Sequence, residues 1–389
     1  MKIGFQIERL DPARGGAETY VHRFARDLIA DGHEVHLVAA AFEDTPEGAT
    51  LHHVLPRGLT RPERDLRFAR AVARATRRAG VDVAVAVGRT FGATVLQPHG
   101  GTLPGSRRQN LRLVRPMWLA GLKQASDRLN PRIQVQAWIE RRQYEADPPP
   151  DVVAISRMVR RDMQAFHGVP DEQLHLVYNG VDTARFSPEA CEAARGAARR
   201  AWDLAPEETC FLMVAHNPKL KGLRELLEAA ARLDRDEPWR IAVVGRARSR
   251  RYLEQADRLG IVDRLLWPGP MDDVLPAYAA CDAYVQPTWY DPCSLVVLEA
   301  LACGRPVVTT RFNGASELME DGREGVVLDS PDEIEHLTEA LGRLLDADLR
   351  RRMGEAGREV AEQHTIERNF REMMAVFETV VARKEVPGR

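Results

Sequence analysis

The stretch AYVQPTWYDPCSLVVLEALACGRPVVTT, Ala283 to Thr310, decides the fold. It opens on a strand-like apolar run ending near Pro287. The loop TWYDPC follows, and a helix is expected to begin near Ser294, a residue type that caps helix starts. Gly304 and Pro306 stop that helix, and PVVTT reads as the next strand. Strand, helix and strand in so short a span form a parallel βαβ unit, which needs helices on both faces of its sheet. Asp291 falls in the loop before the helix and Glu299 on its second turn. The apolar residues between and beyond them, Leu295, Val296, Leu298 and Leu301, are expected to be core.

The same alternation runs outward in both directions. Towards the N-terminus, KIGFQI, HEVHLVAA, DVAVAVG, TVLQPH and DVVAIS read as strands. Between the first two lies GGAETYVHRFARDLIADG, in which Val21, Phe24, Leu28 and Ile29 recur at helical spacing. The segment VYNGVDTARFSP breaks the periodicity with turn signals and reads as a boundary. A second series follows, with CFLMVAH, WRIAVVG, LLWPGP, AYVQP, PVVTT and GVVLD as strands. The tail TIERNFREMMAVFETVVARK is one more amphipathic helix. The expected architecture is α/β: two Rossmann-like, doubly wound parallel-sheet domains facing a cleft. The expected boundaries are 1–182 for an acceptor domain, 183–366 for a donor domain, and 367–389 for a C-terminal helix packing back toward the first domain.

Bulk properties agree with this and exclude several classes. The chain has 389 residues, a net charge of −2 and 29% charged side chains, so no global charge draws it to nucleic acid or acidic surfaces. Five cysteines without any CxxC pattern predict reduced thiols and a cytoplasmic setting. Met1 leads directly into a strand-like run, which predicts no secretory leader. No apolar run is long enough for a membrane span. HExxH and Cys/His clusters are missing, so no metal site is expected.

In open parallel sheets the chemistry lies in loops after the strands, and four such loops hold suggestive residues. Asp291 and Glu299 flank a helix start whose free N–H groups suit an anion, which together describe a ligand with hydroxyls and phosphates. In VAHNPKLKG, Lys219 and Lys221 follow a strand, and Gly222 precedes a helix; lysine at that junction suits a diphosphate, although the P-loop glycines are missing. GGAE, Gly15 to Glu18, allows close backbone approach without being a GxGxxG dinucleotide motif. QPHGGT places His99 after a strand, where it could bond a sugar hydroxyl or move a proton. Each has an ordinary alternative when taken alone: a helix-dipole acid, a solvated lysine, a plain turn, a structural histidine.

Taken together these motifs resemble the family-4 retaining glycosyltransferases of the GT-B fold. The resemblance covers nearly the whole chain and is strongest from Asp151 to Asp329, through VVAISRMVRRDM, VYNGVDTARFSP, AHNPKLKG and NGASELMEDGREGVVL. Within the family the chain looks nearest to lipopolysaccharide-core glucosyltransferase-like enzymes. The resemblance implies transfer of a hexose from a nucleotide-diphosphate sugar, UDP favoured over GDP, with retained configuration and without metal or other cofactor. Asp291 and Glu299 then match the family's paired acids, Asp standing where Glu is usual. Asp291 is expected on the donor sugar, Glu299 on the ribose, and the N–H groups around Ser294 and Leu295 on sugar or phosphate. Lys221 matches the diphosphate lysine. His216 stands where the family often has an arginine, and the second phosphate contact falls to Asn217, Lys219 or another arginine. Gly16 matches the glycine beside the diphosphate, and His99 the histidine near the reacting sugar. The base is expected at Gly269 to Met271. His99, Lys221 and Asp291 are the expected catalytic residues.

The acceptor side is read from residues 105–145. Arg107, Arg108, Arg112, Arg115, Lys123, Arg128, Arg132, Arg141 and Arg142 face only Asp127, Glu140 and Glu145, with Trp118 and Trp138 interleaved. Such a segment suits the inner surface of a membrane, an anionic glycan or a phosphorylated lipid acceptor, or else forms a solvated helical pair over the sheet. A glycan or lipid-linked acceptor in envelope or surface-polysaccharide synthesis is expected, with a cytoplasmic, membrane-peripheral location. Two other readings are a non-catalytic nucleotide-sugar scaffold and a GT-B enzyme of another reaction class. The basic segment carries no recognised nucleic-acid module.

Overall fold

Continuous apolar runs such as Phe211 to Met213 and Ile241 to Val244 suit strands buried on both faces, and the computed structural model places them so. It describes residues 1–385 apart from Arg14, Arg115, Met117 and residues 247–249. Arg115 of the basic segment therefore lies outside the described residues. The chain divides into two compact units, Met1–Tyr178 with Phe370–Arg389, and Asn179–Asn369.

The first unit holds a seven-stranded sheet. Its order is Thr50–His53, Glu34–Ala39, Lys2–Gln6, Val83–Ala86, Val95–Leu96, Asp151–Ala154 and Leu174–Leu176, every pairing parallel. The helix Gly16–Ala30 buries Tyr20, Val21, Phe24, Ala25 and Leu28, the stripe its periodicity predicts. Met373, Phe377 and Val380 of the last helix, Ile366–Glu385, belong to the same apolar core, and Phe370 packs on Phe24 with ring centroids 5.3 Å apart. Arg383 of that helix pairs with the buried Asp151 at 2.9 Å.

The second unit holds a six-stranded parallel sheet, ordered Leu265–Gly269, Trp239–Val244, Thr209–Val214, Ala283–Val285, Val307–Thr310 and Gly325–Leu328. In both sheets the first strand in sequence lies inside the order, and the chain winds outward from it in two directions. The α/β, doubly wound reading holds. Such a reversal leaves a crevice at the carboxyl ends of the two central strands, and in the second unit those are Thr209–Val214 and Ala283–Val285.

The helix of the deciding stretch is Leu295–Ala302, with Ser294 at the capping position. One expectation needs correction. Val297, Leu298, Ala300 and Leu301 are buried, but Leu295 and Val296 are only half-buried. Side chains tilt toward a helix's N-terminus, so the first turn leans over the loop at the strand ends and away from the core.

Candidate functional site

The site of the second unit starts from a tight turn after strand Thr209–Val214. The Asn217 carbonyl accepts from the Lys221 N–H at 3.1 Å, and its side-chain oxygen from the Leu220 N–H at 3.3 Å. Gly222 then takes a left-handed conformation, φ +82°, and its missing side chain is required: a Cβ there would stand 2.0 Å from the Pro287 carbonyl oxygen. The turn therefore lies directly on the end of the neighbouring strand. The Leu220 carbonyl seals the two loops together, accepting from the Trp289 N–H at 2.8 Å and the Thr288 hydroxyl at 3.0 Å.

This contact aims Lys221 at the loop of the deciding stretch, where its Nζ donates to Asp291 Oδ2. The same oxygen accepts from Gln286 Nε2 at 3.0 Å. The Asp291 backbone is held on both sides, its N–H on the Phe312 carbonyl and its carbonyl on the Gly314 N–H, each at 2.8 Å. Side-chain exposure is 21% for Lys221 and 11% for Asp291, so the pair is shielded yet reachable.

Beside it the helix Leu295–Ala302 begins without a side-chain cap. The Ser294 hydroxyl points to Gln286 Oε1 at 3.5 Å, and the Ser294 N–H goes to Asn313 Oδ1 at 3.3 Å. The N–H groups of a first helical turn have no partner within the helix, and an uncapped turn offers them to an anion. Glu299, half-buried on the second turn, accepts from the Tyr278 hydroxyl at 2.8 Å. Burial pushes the Tyr278 phenol well above its ordinary value and the Glu299 charge adds to this, so Tyr278 stays a donor that orients Glu299. Asn179 donates to the Cys293 carbonyl at 2.9 Å and fixes the loop from the far side.

Lys221, Asp291, Ser294, Leu295 and Glu299 thus gather at the carboxyl ends of the two central strands. His216 and Asn217 follow the first of these strands and are exposed. Gly269 ends strand Leu265–Gly269, where its carbonyl accepts from the Gly245 N–H at 2.8 Å, and Met271 beyond it is half-buried. Tyr278, Gln286, Asn313 and Asn179 hold the site and were not singled out from the sequence. Asn313 opens the quoted NGASEL motif, which was its one visible signal. Among the described residues no three His, Cys, Asp or Glu side chains stand together as a metal site.

In the first unit, Gly16 opens the helix Gly16–Ala30, preceded by Gly15 and uncapped by any side chain. His99 follows strand Val95–Leu96 and packs its ring on Tyr20, centroids 4.5 Å apart. Its Nε2 is buried and has no hydrogen-bond partner. Burial first, and then the Arg23 charge, lower its pKa from 6.5 to about 3. His99 is therefore neutral at ordinary pH, with a buried ring nitrogen that has no hydrogen-bond partner. The unfolded chain takes up this proton at about pH 6.5 and the folded one does not, so stability from this residue is complete above that pH and is lost as pH falls towards 3. We expect the unfolding free energy from urea titration to fall between pH 6.5 and pH 5 with a slope of at most about 1.4 kcal/mol per pH unit from this group. His99→Gln should remove that part of the slope, and an unchanged slope would contradict the neutral assignment.

The basic segment forms three helices, Leu103–Arg112, Leu119–Leu129 and Pro131–Tyr144. The third is anchored: Glu140 is 4% exposed and takes bonds from Arg89, the Leu103 N–H and His167 at 2.8, 2.8 and 3.0 Å. The second buries no residue, and Trp118, Leu122 and Leu129 are 71%, 63% and 82% exposed.

The site can hold an anion through Lys221 and the helix start, and hydroxyls through two carboxylates. Known proteins match the chain as a whole. Residues 14–185 match the model of Glycosyltransferase Family 4, and residues 195–360 that of Glycosyl transferases group 1. A D-inositol 3-phosphate glycosyltransferase of Salinispora tropica is 30% identical over 274 residues, 66% of this chain and 56% of that protein. One of Corynebacterium kroppenstedtii is 30% identical over 59% of this chain and 54% of its own length. The chain spans about half the length of these curated relatives. The crystal structure of WaaG, a glycosyltransferase involved in lipopolysaccharide biosynthesis, superposes with a TM-score of 0.84 at 22% identity, covering 96% of this chain and 99% of that one. Anabaena HepE in complex with UDP and glucose gives 0.69 at 20% identity, over 97% and 99% of the two chains. The structural likenesses carry the fold, the two models together span nearly all of the sequence, and the chain belongs to the glycosyltransferases of family 4 and group 1.

Proposed function

We propose that the protein transfers a hexosyl group from a nucleoside-diphosphate sugar, UDP before GDP, to a hydroxyl of a glycan or lipid-linked acceptor. The observation that carries this is the Lys221–Asp291 pair beside an uncapped helix start and Glu299, all at the switch point of one sheet. Lys221 leaves Asp291 for the diphosphate when donor enters, and Asp291 turns to the sugar hydroxyls. Glu299, oriented by Tyr278, takes the ribose hydroxyls. The UDP preference is supported by the HepE complex and by nothing in the base-side residues, Gly269 and Met271. Gly16 lies beside the diphosphate and His99 supplies a neutral nitrogen to a substrate hydroxyl. His216 and Asn217 border the phosphates.

The reaction follows from these groups. The bond from the anomeric carbon to the diphosphate breaks, and the acceptor oxygen bonds that carbon on the same face. The acceptor's proton passes to the leaving diphosphate, so no enzyme carboxylate serves as nucleophile and configuration is retained. Lys221 and the first-turn N–H groups of Leu295–Ala302 stabilise charge growing on the diphosphate, so the step proceeds without a metal ion. Incubating the protein with UDP- and GDP-hexoses and simple acceptors should give an α-linked product from an α-linked donor, at the same rate in EDTA. An inverted product, or a rate abolished by EDTA and restored by a divalent cation, would overturn this scheme.

The acceptor side is proposed to work at an anionic membrane surface. Helix Leu119–Leu129 supports this reading, with Trp118, Leu122 and Leu129 exposed beside Lys123 and Arg128. No helix of the described residues is long and apolar enough to cross a membrane. Binding to vesicles with anionic phospholipid should fall by about tenfold in Trp118→Ser/Leu122→Ser, the loss of two partly buried apolar groups. Equal binding by the variant and the parent would refute the contact.

A further inference from the structure

The second unit has another pocket, at the opposite edge of its sheet from the site above. It measures about 550 Å³ and is lined by Arg195, Arg305, Arg350, Arg351 and Arg358. Arg350 reaches the hydroxyl of Thr209, the first residue of strand Thr209–Val214, at 3.2 Å. Asp282 immediately precedes strand Ala283–Val285, and Arg305 lies two residues before strand Val307–Thr310. The pocket thus opens at the amino ends of three adjacent strands, whereas Lys221, Asp291 and Asn313 follow their carboxyl ends.

Its positive charges are unequally matched. Asp282 is used up: Oδ1 accepts from Arg195 at 2.6 Å, and Oδ2 accepts from Arg199 at 3.2 Å and the Cys210 N–H at 2.8 Å. Glu355 pairs with Arg351 at 3.1 Å and Glu362 with Arg358 at 2.8 Å. Glu192 lies on the rim and is exposed. Arg305 donates through Nε to the Tyr278 carbonyl at 2.9 Å, and Arg350 through Nη1 to the Leu344 carbonyl at 2.6 Å. Among the described residues neither has a carboxylate within salt-bridge distance, and both are half-buried. Burial lowers the Arg350 pKa from its ordinary value; the Asp282 charge opposes this and the Arg195 charge adds to it. Burial works against the Arg305 charge, but the nearby thiols Cys281 and Cys191, and Asp282, outweigh it and hold its pKa above the ordinary value. A partly desolvated guanidinium with no carboxylate in direct contact still has donors to offer an anion.

We propose that this pocket is a second anion site, in which the Arg305 and Arg350 guanidiniums bind the phosphate of a phosphorylated small molecule. The planar donor fork of arginine suits phosphate oxygens. The volume is that of a pocket for a whole small molecule, so an organic body the size of a sugar phosphate fits better than bare phosphate. The inference stands apart from the donor reading, since it uses none of its residues.

The test is thermal unfolding of the full chain at constant ionic strength with two probes, inorganic phosphate and glucose 6-phosphate, against sodium chloride. Both probes should raise Tm saturably, glucose 6-phosphate with the lower midpoint; equal midpoints would uphold the anion site and assign it to free phosphate. The response should persist in Lys221→Ala, which removes the phosphate contact of the other site. In Arg350→Gln the midpoint should rise by about tenfold or more, the effect of losing one charged hydrogen bond. Arg305→Gln should do the same and serves as an independent variant if Arg350→Gln does not fold. Lack of a saturable response in the parent, its loss in Lys221→Ala, or its retention in the folded arginine variants would each overturn the proposal.

Discussion

Lys221→Ala is expected to lower the turnover of sugar transfer by about 100- to 1000-fold, the usual effect of removing one group that stabilises transition-state charge. The reason lies in what Lys221 touches. It is the cation placed against the proposed diphosphate position, and in the unliganded protein it is held ready by Asp291. The expected cost to stability is small. Asp291 keeps Gln286 at 3.0 Å and its two backbone bonds, and the pair is partly open to water. Turnover should therefore collapse while Tm changes by only a few degrees. Near-normal turnover in Lys221→Ala would remove this residue from the chemistry.

Gly222→Ala is expected to produce the largest structural effect. A left-handed backbone costs a non-glycine residue about 1–3 kcal/mol, and here the added Cβ would also overlap the Pro287 carbonyl oxygen at 2.0 Å. Relief requires separating the two loops that the Leu220 carbonyl joins, which displaces Lys221 from Asp291. Gly32→Ala is the natural control, because Gly32 has the same φ of +82° with nothing within 4 Å of its Cβ position. Thermal unfolding should show a Tm loss several-fold larger for Gly222→Ala than for Gly32→Ala, together with lost transfer activity. Equal losses would mean that the loops part freely and that the close contact does not position the lysine.

The central strands were legible because strands buried on both faces read as unbroken apolar runs. The edge strands Thr50–His53 and Leu174–Leu176 were not: both are short, the first is largely open to water, and the second is only partly buried. Helix starts followed from Gly and Ser positions, but not the outward lean of Leu295 and Val296, which depends on where the helix meets the sheet. Lys221, Asp291 and Glu299 stood out as charged residues in loops after strands. Their direct pairing did not, because Lys221 and Asp291 are 70 residues apart and only the sheet order brings their loops together. Tyr278 and Gln286 read as ordinary core residues, and a buried hydroxyl or amide shows its purpose only when its partner is known. The five arginines of the opposite pocket come from three separate segments, the helices Pro188–Ala201 and Ala347–Gln363 and the loop at Arg305, and only the fold brings the three together.

The most direct test of the central claim is titration calorimetry of UDP-glucose into the parent protein, Lys221→Ala and Glu299→Ala. Saturable one-site binding by the parent is predicted, weakened by about tenfold or more in each variant, as expected for losing a charged hydrogen bond. Failure of the parent to bind UDP-glucose, GDP-hexoses or the free nucleotides, or equal affinity in all three proteins, would contradict it.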